Sequence, residues 1–145
     1  MKQMPLIQKF MSVMPHTVSF DLPLTGAISL MREQKIRHLP VMNGEKLVGV
    51  LTDRDVKLVS GFAGSDTMRV EQAMIPEPYV VTPDASLDHV VSEMAEHRYG
   101  CAVIRQENGK VVGIFTATDG LRVLSEQLGG FYKAAQESPL HRTHS

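Results

Sequence analysis

Gly49-Val50-Leu51-Thr52-Asp53-Arg54-Asp55 and Gly113-Ile114-Phe115-Thr116-Ala117-Thr118-Asp119 are the two stretches on which the fold turns. Each reads as the end of an apolar strand, then a threonine, then an aspartate three residues later at the start of a helix. A hydroxyl and a carboxylate at that spacing form an acidic variant of the capping box, which satisfies N–H groups that lack an intrahelical partner. The same N–H groups and the helix dipole also favour an anion such as a phosphate. In that second reading the threonine assists a phosphate and the aspartate accepts from sugar hydroxyls, while the glycine lets a planar base come close. A single copy leaves both readings open.

Working outward from the two stretches, the chain matches itself. At an offset of 63, Ile7 to Met11 falls on Val70 to Met74, Pro15 on Pro78, Val18 on Val81, Asp21 on Asp84 and Leu24 on Leu87. Ser29, Met31 and Glu33 then fall on Ser92, Met94 and Glu96. After one inserted residue Gly49 falls on Gly113, Thr52 on Thr116 and Asp55 on Asp119. So many matches in order mark a tandem duplication.

Each copy carries the same predicted elements. A short strand (Thr17 to Phe20; Val80 to Thr82) precedes a helix with apolar residues at Leu24, Ala27, Ile28 and Met31, and at Leu87, Val90, Val91 and Met94. That spacing is the stripe of a helix with one buried face, and Ser86 stands at an N-cap position. Two strands follow in each copy, Leu39 to Met42 with Lys46 to Thr52, and Ala102 to Arg105 with Lys110 to Thr116. Asn43-Gly44 and Asn108-Gly109 suit the tight turns between them. A second helix runs over Asp53 to Ser60 and over Asp119 to Leu128, with Gly61 and Gly129-Gly130 as stops. The expected fold is α/β: two β-α-β-β-α units related by a pseudo-twofold axis and packed through three-stranded sheets. Unit one covers residues 7–60, a linker 61–69, unit two 70–128 and a C-terminal tail 129–145, polar over Ser138 to Ser145.

The composition narrows the function. The chain has 145 residues, with 15 lysines and arginines against 16 aspartates and glutamates. That balance gives no general attraction to nucleic acid or anionic membrane, and no apolar run is long enough for a membrane span. One cysteine, Cys101, excludes an internal disulfide, and a cytoplasmic location is expected. The six histidines, His89 and His97 among them, form no convincing metal-ligand spacing with a carboxylate, so no metal site is expected. The nine methionines read as core filling. No nucleophile elbow, Walker loop or dinucleotide-binding glycine motif is present, so no enzyme is expected.

The tandem units, with their Leu39-Pro40-Val41 and Ala102-Val103-Ile104 strands and repeated Gly-Φ-Φ-Thr-x-x-Asp stretches, resemble a pair of CBS domains, or Bateman module. Met11 to Pro15 and Met74 to Pro78 are similar to the family's lead-in, and the likeness runs from residue 7 to residue 128. The resemblance implies a regulatory module that binds AMP, ADP, ATP or a relative such as S-adenosylmethionine in two clefts between the copies, with no required cofactor. It implies that Asp55 and Asp119 hold ribose and that Thr52 and Thr116 meet phosphate, helped by Arg54 and Thr118. His16, Thr17, Val18, Ile36, Arg37 and His38 would sandwich the base in one cleft, and Tyr79, Val80, Val81, Tyr99, Gly100 and Cys101 in the other. Each cleft would combine the threonine-aspartate stretch of one copy with the base-binding residues of the other. Arg37 and His38 bring positive charge, so the cleft built on Asp119 is expected to be the stronger. The resemblance also implies a homodimer that signals to a separate effector protein. The alternative is a structural dimerisation module whose clefts are vestigial.

Overall fold

The structure is a computed structural model and describes residues 3–13 and 16–136. It consists of two four-stranded sheets packed face to face, with helices on the outer face of each. The first copy supplies β2 (Val18–Ser19), α1 (Leu24–Gln34), β3 (His38–Asn43), β4 (Lys46–Thr52) and α2 (Asp53–Val59). The second supplies β6 (Val80–Val81), α4 (Leu87–His97), β7 (Cys101–Arg105), β8 (Val111–Thr116) and α5 (Ala117–Gln136). Short lead-in elements are β1 (Ser12–Val13), α3 (Val70–Ala73) and β5 (Ile75–Pro76), with single 3-10 turns at Ile7–Lys9 and Ser65–Thr67.

The sheets have four strands rather than the expected three, because the lead-ins are exchanged. The strand orders are β2-β3-β4-β5 and β1-β8-β7-β6. β1, at the start of the first copy, pairs antiparallel with β8 of the second, and β5, at the start of the second, pairs antiparallel with β4 of the first. Backbone hydrogen bonds repeat the sequence offset. Val70 N–H donates to the Leu22 carbonyl (2.9 Å) and Glu71 N–H to that of Phe20 (2.9 Å). With the donor 63 residues earlier and the acceptor 63 residues later, Ile7 N–H donates to the Ala85 carbonyl (2.8 Å) and Gln8 N–H to that of Pro83 (3.2 Å).

The exchange also caps the helices. The Leu24 N–H donates to the carbonyl of Met68 (2.8 Å), and the Leu87 N–H to that of Pro5 (2.9 Å). Ser86 occupies the N-cap of α4 as expected, but its side chain makes no cap bond. The lead-in backbone serves that N–H instead, so a hydroxyl is not required there.

Three apolar clusters follow from this arrangement. One lies beneath α1, α2 and α3 and includes Leu24, Ala27, Leu39, Leu51 and Val70. Its counterpart gathers Leu87, Val90, Ala102, Ile104 and Phe115, with Ile7 from the other end of the chain. The third, Leu47, Val50 and Val103, joins the inner faces of the two sheets. β3 and β7 each bury three consecutive residues, as expected where both faces of a sheet are covered.

Four further expectations change. The strands before α1 and α4 are two residues long. At the first hairpin Asn43 is still paired, opposite Lys46, so Gly44 (φ +62°) and Glu45 make the turn. Gly61 is not in the left-handed region among the described residues, and α2 ends at Val59 with Ser60 as its C-cap. Gly129-Gly130 does not stop α5, which runs on to Gln136 although each glycine costs about 1 kcal/mol relative to alanine in a helix interior. The part of the expected tail beyond Gln136 lies outside the described residues.

Gly49 and Gly113 owe their identity to the exchanged strands. A Cβ on Gly49 would lie 2.7 Å from the Ile75 carbonyl oxygen and 2.6 Å from Met74 Sδ. One on Gly113 would meet the Met11 sulfur and lie 3.0 Å from the Ser12 carbonyl oxygen. The expected role of admitting a base gives way to close packing of the lead-in. Gly49→Ala should destabilise the protein by about 1–3 kcal/mol, as overpacking does. Gly113→Ala should cost less, because the flexible Met11 side chain can give way and the backbone is farther off. Chemical denaturation of the two variants measures the difference.

Candidate functional site

The two helix starts that follow β4 and β8 both form capping boxes. Asp55 N–H donates to Thr52 Oγ1 (3.1 Å), while Asp55 Oδ2 accepts from the Thr52 N–H (3.1 Å) and hydroxyl (2.6 Å). In the second copy Asp119 N–H donates to Thr116 Oγ1 (3.2 Å) and Asp119 Oδ2 accepts from the Thr116 N–H (2.8 Å). A cross-bond ties each helix start to the strand opposite: Asp53 N–H donates to Arg37 and Ala117 N–H to Gly100, 2.8 and 2.9 Å. The register agrees, with His38 opposite Thr52 and Cys101 opposite Thr116.

The outer carboxylate oxygens differ between copies. Asp119 Oδ1 accepts from Arg122 Nη1 at 3.2 Å, an ion pair whose arginine is 65% exposed and free to swing. No hydrogen bond to Asp55 Oδ1 is seen among the described residues.

Electrostatic influence crosses between the copies. Burial is the main cause that lowers the pKa of His38, opposed first by Asp119 of the other copy and then by Asp55. Burial likewise pushes the Cys101 thiol up to about 11, with Asp55 of the other copy adding to it. His38 and Cys101 thus each feel the aspartate that belongs to the opposite unit. Burial thus works against the positive charge expected of His38. Arg37 beside it is exposed.

The remaining predicted residues divide in the same way. In the first copy His16 and Ile36 are half-buried, Thr17 is exposed and Val18 is buried in the core. In the second, Val80 and Val81 are half-buried and Gly100 is exposed. Tyr79 and Tyr99, both read as base-sandwiching residues, stack on each other at 4.8 Å, and His97 stacks on Tyr99 at 5.2 Å. The Tyr79 hydroxyl is buried with no hydrogen-bond partner among the described residues, and burial together with Glu93 raises its pKa. Arg54 and Thr118 are exposed on the first turns of α2 and α5.

Two features were not foreseen. A cavity of about 660 Å³ opens at the hairpin end of the sheets, lined by Thr17, Val18, Met42, Glu45, Asn108 and Lys110 among others. It takes in two predicted residues and neither threonine-aspartate pair. Glu93, Glu96 and His97 also bring their ligand atoms within 4.8 Å of one another on α4. The sequence reading passed over this spacing. The His97–Glu93 contact (3.2 Å) is an i,i+4 pair at the helix end, where a protonated imidazole suits the dipole.

The CBS domain family model matches residues 7–60 and 70–126, and the chain belongs to that family as a tandem pair. Its fold is similar to the CBS domain pair of protein MJ0100, solved with 5′-methylthioadenosine and S-adenosyl-L-methionine. The TM-score is 0.76 at 24% identity, over 86% of this chain and 99% of that one. It is also similar to CBSX2 solved with AMP, at a TM-score of 0.72 and 24% identity over 83% and 97% of the two chains. Inosine-5′-monophosphate dehydrogenase of Korarchaeum cryptofilum is 35% identical over 103 residues, which are 71% of this chain and 21% of that protein. The chain thus spans about a fifth of the length of such larger relatives. No helix among the described residues is long and apolar enough to cross a membrane.

Two outcomes are expected. Thr52→Ala should lower stability by about 1 kcal/mol through loss of the cap, measured by urea unfolding. The depressed pKa of His38 gives a pH effect of definite sign. Below about pH 6.5 the unfolded chain takes up a proton that folded His38 refuses, so stability falls until the pH drops below the folded pKa. His38→Gln should flatten that part of the stability profile.

Proposed function

We propose that the chain is a non-catalytic regulatory module that binds an adenosine-containing ligand between its two copies and passes the state of that site to a partner protein. The single observation that carries this reading is that each unit's aspartate bears electrostatically on the strand start of the other unit. Asp119 acts most strongly among the charged groups on His38 of the first copy, and Asp55 is the charged group that acts on Cys101 of the second. A ligand held by one unit's aspartate and the other unit's strand start therefore bridges both units, and its binding energy bears on their relative position. Structural relatives solved with AMP, and with S-adenosyl-L-methionine and 5′-methylthioadenosine, make the adenosine moiety the first choice. AMP, ADP and ATP differ only beyond the ribose that the aspartates would read.

The two sites are unequal in this reading. The one proposed to join Asp119 to His16, Thr17, Ile36, Arg37 and His38 would draw on two exposed cations, Arg37 and Arg122. Arg122 would leave the Asp119 carboxylate to ribose hydroxyls and turn to phosphate, an arginine's preferred partner. In the site proposed to join Asp55 to the second copy, two of the base-binding residues, Tyr79 and Tyr99, stack on each other, and Gly100 and Cys101 add no charge. A base that used both rings would have to part them.

The rival reading, a structural dimerisation module, is favoured by the capping boxes, because Thr52, Asp55, Thr116 and Asp119 all have purely structural partners. Thermal unfolding with AMP, ADP, ATP, S-adenosylmethionine and NAD separates the two. A ligand at a hundredfold excess over its dissociation constant adds about 2.7 kcal/mol of stability. Asp119→Ala should abolish the shift and Asp55→Ala should largely preserve it. No shift with any of these compounds would favour the rival, and the reverse order of the two variants would overturn the ranking of the sites.

A further inference from the structure

Both copies also wall a space that neither threonine-aspartate pair reaches, the cavity at the hairpin end of the sheets. Its volume of about 660 Å³ lies in the range of small-molecule sites. Thr17, Val18, Met42 and Glu45 line it from the first copy, and Lys110 and Val111 from the second. The pseudo-symmetry of the chain shows why it is open. Under the offsets of the repeat Thr17 corresponds to Val80, and Val111 to Leu47. In that equivalent place Leu47 is buried between the sheets, and Val80 packs against the cluster that Leu47 forms with Val50 and Val103. A leucine and a valine close one half, whereas a valine and a hydroxyl-bearing threonine leave the other open. Met42 and Val111 are only half-buried at the edge of the same cluster, so apolar surface is left to water there. A ligand that fills the space removes it from water.

The polar groups select the ligand. Glu45 and Lys110, one from each copy, are exposed, and among the described residues neither makes an ion pair. The turn that carries the lysine is tied in place. Lys110 N–H donates to Asn108 Oδ1 (3.0 Å), its carbonyl accepts from Gln106 N–H (2.8 Å), and Gly109 takes φ +92°. An anion and a cation thus line one space without pairing to each other. A molecule that carries both charges satisfies both, through charge-assisted hydrogen bonds. Its apolar part then has Val18, Met42 and Val111 to rest on. Two opposite charges beside an apolar group are the chemistry of an α-amino acid with an apolar side chain.

We propose that the hairpin-end cavity binds a free α-amino acid with an apolar side chain, its carboxylate on Lys110, its ammonium on Glu45 and its side chain on Val18, Met42 and Val111. The site goes beyond the adenosine reading and stands whether or not a nucleotide binds. Its walls come from both copies, so its occupancy also bears on their relative position.

Amide chemical-shift titrations of the full chain with L-leucine, L-methionine and L-phenylalanine test the proposal. At least one should bind, with the largest perturbations on Thr17 to Ser19, Met42 to Glu45 and Asn108 to Val111. N-acetylation or methyl esterification of that amino acid, each of which removes one charge, should weaken binding about tenfold or more. Glu45→Gln and Lys110→Gln should weaken it by a similar factor. Thr17→Val with Val111→Leu, which copies the packed half of the molecule, should abolish binding and leave the circular dichroism of the folded chain unchanged. Should that variant misfold, the two glutamine variants decide. Lys110 lies at the end of β8 remote from Thr116, so Lys110→Gln should leave an AMP-induced thermal shift as in the wild type. Absence of that shift in a chain that binds the amino acid would count against the adenosine reading alone. The proposal is overturned by no perturbation with any of the three amino acids at millimolar concentration, by perturbations centred on the threonine-aspartate stretches, by charge-blocked analogues that bind as well as their parents, or by full affinity in the variants.

Discussion

The rest of the structure depends on the exchange of lead-in strands. β1 lies on β8 and β5 lies on β4, so each copy's sheet is finished by the chain that introduces the other copy. The contact is close enough to demand glycine at residues 49 and 113, and it gives the first N–H of both α1 and α4 a backbone acceptor. Ile7, fully buried beside Leu87 and Phe115, and Val70, fully buried beside Leu24 and Leu51, anchor the exchange in the two outer cores. Neither copy holds a complete core without residues from the other's lead-in. The two units are therefore coupled by main-chain pairing and core packing as well as by the smaller cluster between the sheets.

This coupling bears on function. The aspartate at each helix start bears electrostatically on the strand start of the opposite unit, Asp119 on His38 and Asp55 on Cys101. A ligand placed there would touch both halves of a molecule whose halves are already interlocked. Small changes at such a site act on the whole module rather than on one lobe. On the proposed reading the differences between the copies, Arg37 and His38 against Gly100 and Cys101, would make the two sites unequal. The stacking of Tyr79 on Tyr99 would add to that inequality, and the lowered pKa of His38 would reduce it.

Much of this was legible in the sequence. The 63-residue offset, the apolar stripes of α1 and α4 (except Val91, which is 36% exposed) and the strand bounds of β4 came directly from residue spacing. The capping boxes were written in Thr52-x-x-Asp55 and Thr116-x-x-Asp119. The exchange was hidden because two-residue strands have no periodicity and the pairing is decided by contacts far apart along the chain. Its trace was present all the same. Met11 and Met74 are equivalent residues, and each packs on the glycine of the opposite copy. Gly129-Gly130 was misread as a stop because glycine is costly in a helix, and local cost does not by itself end one. The stacking of Tyr79 on Tyr99 and the burial of His38 depend on tertiary distances that spacing along the chain does not encode.

The central claim is that an adenosine ligand lies between the copies, on the threonine-aspartate stretch of one and the strand starts of the other. An amide chemical-shift titration of the isotopically labelled chain with AMP tests it most directly. The account predicts that the largest perturbations fall together on Thr116 to Asp119 and on Thr17, Val18 and Ile36 to His38. Perturbations confined to the hairpin-end cavity, around Met42 to Glu45 and Asn108 to Val111, or restricted to residues of a single copy, would contradict it.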